Sequence, residues 1–107
     1  MPMRSQRTRR VKIRKIRVME KKTYDFSKVS VEVEFDVFVE MNLAKQAGNT
    51  IHQGTSDIGT DEKAREIYNK GCAEIPDESM RMEMVAIIME SHLVVPVKQA
   101  LKMVLES

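Results

Sequence analysis

Residues 29–43, VSVEVEFDVFVEMNL, carry an apolar side chain at every odd position: Val29, Val31, Val33, Phe35, Val37, Val39, Met41 and Leu43. Ser30, Glu32, Glu34, Asp36 and Glu40 stand between them. A repeat of two is what a strand with one buried and one hydrated face requires, because successive side chains leave a strand on opposite sides. Fifteen residues at about 3.3 Å each would span about 50 Å. A domain of 107 residues is only about 30 Å across. The segment therefore bends sharply, ends before Leu43, or projects and pairs with another chain.

A strand needs a neighbour, and the sequence offers one upstream. Residues 11–19, VKIRKIRVM, are rich in β-branched side chains. Val11 and Ile13 share one parity and Ile16 and Val18 the other, so a strand here needs a bulge near Lys15. A helix through Ile13, Ile16 and Arg17 is the alternative. Residues 20–28, EKKTYDFSK, read as a polar connection between 11–19 and 29–41, which together predict a long antiparallel hairpin. A short third strand fits Thr50 to Gln53, with Ala47-Gly48-Asn49 as its turn.

Beyond residue 60 the repeat becomes helical. Thr60 followed by Asp61 and Glu62 is a helix start, Ala64, Ile67 and Tyr68 form an apolar stripe, and Gly71 is a stop. Asp77 caps a second helix over 77–91, in which Met80, Met84, Ile87 and Ile88 recur at helical spacing. The first half of 80–89 also alternates, so a strand there stays open. Pro96 opens a third helix that turns Val97, Ala100, Leu101, Val104 and Leu105 inward. Strands before helices predict an α+β fold: a small antiparallel sheet followed by two or three helices packed on one face. The expected organisation is a flexible basic arm over 1–10 and a single α+β domain over 11–107.

Charge is divided along the chain. Residues 1–22 hold ten Lys or Arg against the one acid Glu20, a net of +9, and residues 23–107 hold eight against fifteen, a net of −7. Arg4, Arg7, Arg9, Arg10, Lys12, Arg14, Lys15 and Arg17 are the candidate nucleic-acid-binding residues, since phosphate contacts need dense positive charge and read little sequence. Arginine outnumbers lysine six to two among them, and its planar fork grips phosphate bidentately. No aromatic is interleaved before Tyr24, which argues against base stacking. Part of this charge has a structural use. A strand over 11–19 would set Lys12, Arg14 or Arg17 opposite Glu32, Glu34 or Asp36, in cross-strand pairs stabilising by roughly 0.2–1 kcal/mol each. Arg4, Arg7, Arg9 and Arg10 stay unmatched by nearby acids.

Signals for chemistry are weak. His52 and His92 lie forty residues apart without partners at ligand spacing, so no metal or other cofactor is expected. Cys72 lacks the basic surroundings that activate a thiol and reads as buried and structural. AGNTIHQGTSDIG, residues 47–59, matches neither the dinucleotide nor the phosphate-loop pattern. The acids of 29–43 form an open stripe and not a desolvated pair, and the Met-rich helix after Pro76 offers few groups to base edges. No enzymatic activity is expected.

A lone cysteine and the absence of a membrane-length apolar run point to a reducing, cytoplasmic setting without membrane contact, although an Arg-rich start also suits an organellar transit peptide. The expected function is that of a nucleic-acid-associated accessory protein, DNA or RNA, holding the phosphate backbone through its arm. The alternative is a structural or adaptor subunit, a homo-oligomer whose arm binds an acidic protein surface.

Overall fold

A computed structural model describes residues 22–107. Element order is β1 (Lys22–Asp25), β2 (Val29–Glu34), β3 (Val37–Met41), α1 (Ala44–Gly54), α2 (Ile58–Lys70), β4 (Cys72–Ile75), α3 (Glu78–Met89) and α4 (Val95–Glu106). The fold is α+β, with two small antiparallel sheets, β1–β4 and β2–β3, packed among four helices.

The alternating segment is a hairpin in itself and not one long strand, which corrects the continuous 29–41 expected as half of a longer hairpin. The chain reverses at Phe35–Asp36, where Asp36 adopts left-handed backbone (φ 65°) and its N–H donates to Glu32 Oε2 at 2.8 Å. A short polar side chain is among the few that visit this conformation at modest cost. The unbroken alternation has a geometric explanation. Val29 pairs with Met41 and Val31 with Val39, so odd positions face odd positions, and an irregularity between Glu32 and Glu34 absorbs the extra residue this needs. A bulge keeps the apolar side chains of both strands on one face through the turn. The other half of the expected long hairpin, residues 11–19, lies outside the described residues, as does the 1–10 arm.

The expected third strand at Thr50 to Gln53 is instead part of α1. Ala44, Ala47, Gly48 and Ile51 recur at the spacing of one helical face, and all four are buried. Gly48 is required by packing and not by a turn. A Cβ built on it would stand 2.7 Å from the Ala64 carbonyl oxygen and 2.8 Å from Tyr68 Cβ on α2. Gly48→Val is therefore expected to destabilise the protein by about 1–3 kcal/mol, the usual cost of forcing volume into a packed contact. A lowered Tm in thermal unfolding checks this; an unchanged one would mean that the helices separate freely.

α2 begins three residues before the expected start. Asp57 is its cap, accepting from the Thr60 N–H at 2.9 Å, and the two hydrogen bonds from Thr60, backbone first, hold its carboxyl below the usual range. Thr60 itself is fully buried, its hydroxyl 2.9 Å from Asp57 Oδ2 and 2.7 Å from Glu83 Oε1 on α3. Gly71 ends α2 in left-handed backbone (φ 85°), as its position after the last periodic residue implied. Asp77 caps α3 by accepting from the Met80 N–H, and residues 80–89 are helical.

β1 lies within residues 20–28, expected as a polar connection, and β4 follows directly on Gly71. β1 pairs with β4 in the register Tyr24 to Ala73, and Cys72 on β4 is half-buried and not fully enclosed. Phe26 links the two sheets: its N–H donates to Gly71 O and its carbonyl accepts from Leu43 N–H, both at 2.8 Å. Its ring joins Val29, Val31, Ile51, Ile67, Met84, Ile88, Leu101 and Leu105 in one core.

Candidate functional site

The eight cations singled out above, Arg4 to Arg17, all lie outside the described residues. The described body supplies no substitute basic patch, because most of its cations are held by neighbours. Arg81 bonds Glu78 at 2.5 Å, which raises the guanidinium's pKa and lowers the carboxyl's. Lys63 lies 3.7 Å from Glu66 and Lys102 4.0 Å from Glu106. Lys45 stacks on the Tyr68 ring, 4.1 Å from its centroid, and Lys98 Nζ donates to the Met89 carbonyl at 3.0 Å.

Acids and apolar groups concentrate on the β2–β3 hairpin. Residues 29–43 contain Glu32, Glu34, Asp36 and Glu40 and no Lys or Arg. Val29 and Val31 at its base are buried, but Val33, Val37, Val39 and Met41 on the same face are exposed, as is Phe38 on the other. Phe35 at the tip is 95% exposed. Alternation placed these residues correctly on a face, and missed that nothing among the described residues covers it beyond the base. A two-stranded hairpin with a bare apolar face is marginal alone.

α4 packs against β2 and defines two grooves. One, about 410 Å³, is lined by Glu32, Val33, Glu34 and Phe35 of the hairpin and by Val95, Pro96 and Gln99. The other, about 370 Å³, runs from Val29 and Ser30 past Met103 and Val104 to Thr23, Tyr24 and Asp25. The start of α4 thus lies at the hairpin tip and its end at the hairpin base. Neither groove includes a β3 residue, so both follow the side of β2 away from β3.

A third depression, about 220 Å³, lies between α1 and α2 and is lined by Asn49, His52, Asp61, Arg65 and Tyr68, with Gly48 and Ala64 at its floor. Asp61 Oδ1 meets His52 Nδ1, leaving Nε2 free. The two are nine residues apart in sequence, and one helical turn on each side of a short link brings them together. A His–Asp pair can orient a general base, but nucleophilic chemistry needs a hydroxyl or thiol within its reach. The lining contains no Ser, Thr or Cys, and its one hydroxyl is the phenol of Tyr68, whose ring packs beneath Lys45. The pair fastens α1 to α2, and Arg65 gives the depression a cationic rim.

Among the described residues no group of His, Cys, Asp or Glu is arranged to hold a metal ion, and no helix is long and apolar enough to cross a membrane. In comparisons with known proteins, no family model, no curated protein and no solved structure matches the chain at a significant level.

Proposed function

We propose that the protein is a non-enzymatic nucleic-acid-associated accessory protein that grips the phosphate backbone through its basic N-terminal segment. The observation that carries this reading is the division of charge, +9 over residues 1–22 and −7 over residues 23–107. Arg4, Arg7, Arg9 and Arg10 fall within seven residues, and the nearest acid in sequence, Glu20, is ten residues from the last of them, so a use beyond keeping the surface hydrated is called for. Clustered arginines release counterions on meeting phosphates, and that entropy drives binding with little regard to base sequence. The acidic body is repelled by the same phosphates, which leaves the arm as the contacting part and the hairpin turned away.

The test is an anisotropy titration with a short labelled duplex and its single-stranded RNA counterpart across a range of salt. Affinity is expected to fall steeply and linearly on logarithmic axes. An absence of binding at about 50 mM salt, where phosphate contacts are strongest, would overturn the reading.

A second reading, a structural or adaptor subunit, is favoured by one feature: every residue of β3 is exposed, including Val37, Phe38, Val39 and Met41. An open apolar edge strand is a template for another chain. Deleting residues 1–10 separates the two. Loss of nucleic-acid binding with unchanged oligomeric state supports the first, and loss of assembly supports the second.

A further inference from the structure

We infer that residues 11–18, VKIRKIRV, dock along the free edge of β2 as a third strand of the hairpin sheet, filling the grooves between β2 and α4 of the same chain. Four observations converge on this occupant.

The first is the shape of the site. Among the described residues β2 is paired on one side only, with β3. The two grooves follow its other side, and Val33, Val95 and Met103 stand exposed along them. An open backbone edge beside exposed apolar side chains is satisfied by an extended segment that supplies both main-chain hydrogen bonds and alternating apolar groups.

Charge selects the kind of segment. The hairpin carries four acids and no cation, so a second hairpin laid against it would be repelled. Residues 11–18 carry Lys12, Arg14, Lys15 and Arg17 and no acid. The match extends to the faces. A bulge near Lys15 sets Val11, Ile13, Ile16 and Val18 on one side, with Lys12, Arg14 and Arg17 on the other. In β2 Val29 and Val31 turn into the core that α4 closes, while Ser30 and Glu32 share the opposite face with Phe38 and Glu40 of β3; past the bulge Glu34 stands opposite Val37. An added strand would continue both faces, apolar toward α4 and cationic beside Ser30 and Glu32, with Glu34 at the bulge near the tip. Cross-strand pairs of this kind favour the match, and like charges would oppose it.

Connectivity places the segment at the site. Only residues 19–21 separate it from Lys22, whose Nζ meets the Ser107 carbonyl at the end of α4. Thr23 and Tyr24 line the groove at the base of β2. A turn over 19–21 therefore directs residues 18 to 11 from the hairpin base toward its tip, antiparallel to β2.

Length is the last match. Eight residues at about 3.3 Å span about 26 Å, enough to cover the roughly 20 Å of a six-residue strand.

The proposal stands independently of nucleic-acid binding and is tested without nucleic acid. Hydrogen exchange is followed by mass spectrometry on the nuclease-treated full chain, with the association state measured by sedimentation at the same concentration. Residues 11–18 of the monomer are expected to exchange at least about tenfold more slowly than an unstructured chain, as ordered strands do. Substituting Lys12→Glu, Arg14→Glu and Arg17→Glu together is expected to abolish that protection while α1 and α3 keep theirs. Exchange at the unstructured rate in the unsubstituted chain would overturn the proposal. Protection seen only in a dimer would overturn it as well, by assigning the groove to the segment of a second copy.

Discussion

Phe26→Ala is expected to lower the unfolding free energy by about 3–5 kcal/mol, the range for removing a buried aromatic ring from a packed core. The ring is completely buried. The loss belongs toward the upper end because the site has little freedom to collapse. Phe26 sits in the short link between β1 and β2, and its backbone is held on both sides, by Gly71 O and by Leu43 N–H. Those bonds survive the substitution and keep the surrounding strands in place around the cavity. A small domain has only about 5–15 kcal/mol to lose, so the variant would stand near the limit of folding. Chemical denaturation checks this through a lowered midpoint with an unchanged slope. A loss under about 1 kcal/mol would mean that the core closes over the gap, contrary to the range for rigid sites. Phe35→Ala is the matched control. Phe35 is the same residue type nine positions on, but 95% exposed, and its removal is expected to leave the midpoint of the monomer unchanged.

Much of the helical half of the fold could be read directly. Asp77, Gly71 and Pro96 are local signals whose chemistry fixes a boundary whatever surrounds them, and all three act as expected. The β half was harder for identifiable reasons. Alternation specifies which face a residue occupies but not where a strand reverses. Phe35–Asp36 lacks the Gly or Asn that normally marks a turn, and the bulge near Val33 keeps the parity intact across it. β1 and β4 are four residues each, too short for any repeat to show, and their pairing joins segments about fifty residues apart. Gly48 misled because glycine serves two ends. In a turn it supplies backbone freedom, whereas here it lets α1 and α2 approach closely.

Surface chemistry was legible in part. The acids of 29–43 could be named from their spacing, yet their role depends on what lies beside β2, which only the packing of α4 reveals. The contact between His52 and Asp61 follows from two helices meeting, and one of those had been read as a strand. The basic segment stands on sequence alone, since Arg4 to Arg17 are outside the described residues. The proposed docking would give its charge a counterpart, the acids of the hairpin and the groove beside them.

That counterpart makes the salt dependence of nucleic-acid binding the most informative quantity. Each duplex phosphate neutralised contributes about −0.9 to the logarithmic salt slope. If residues 11–18 lie along β2, the cations free to meet phosphates are Arg4, Arg7, Arg9 and Arg10, and the expected slope is about −3.6. Between about 50 and 200 mM salt this amounts to a loss of affinity of roughly 150-fold. Replacing those four arginines by alanine is then expected to remove measurable binding altogether. A slope near −7 would instead mean that all eight cations reach the nucleic acid. The four-alanine variant would in that case keep a slope near −3.6: the phosphate grip would stand, with Lys12 to Arg17 belonging to it and not to the hairpin. No binding at any salt would remove the grip and leave the docking untouched, since hydrogen exchange reads that separately. The two proposals thus fail in different measurements, and the slope of the unsubstituted chain determines how the basic residues are divided between phosphate and protein.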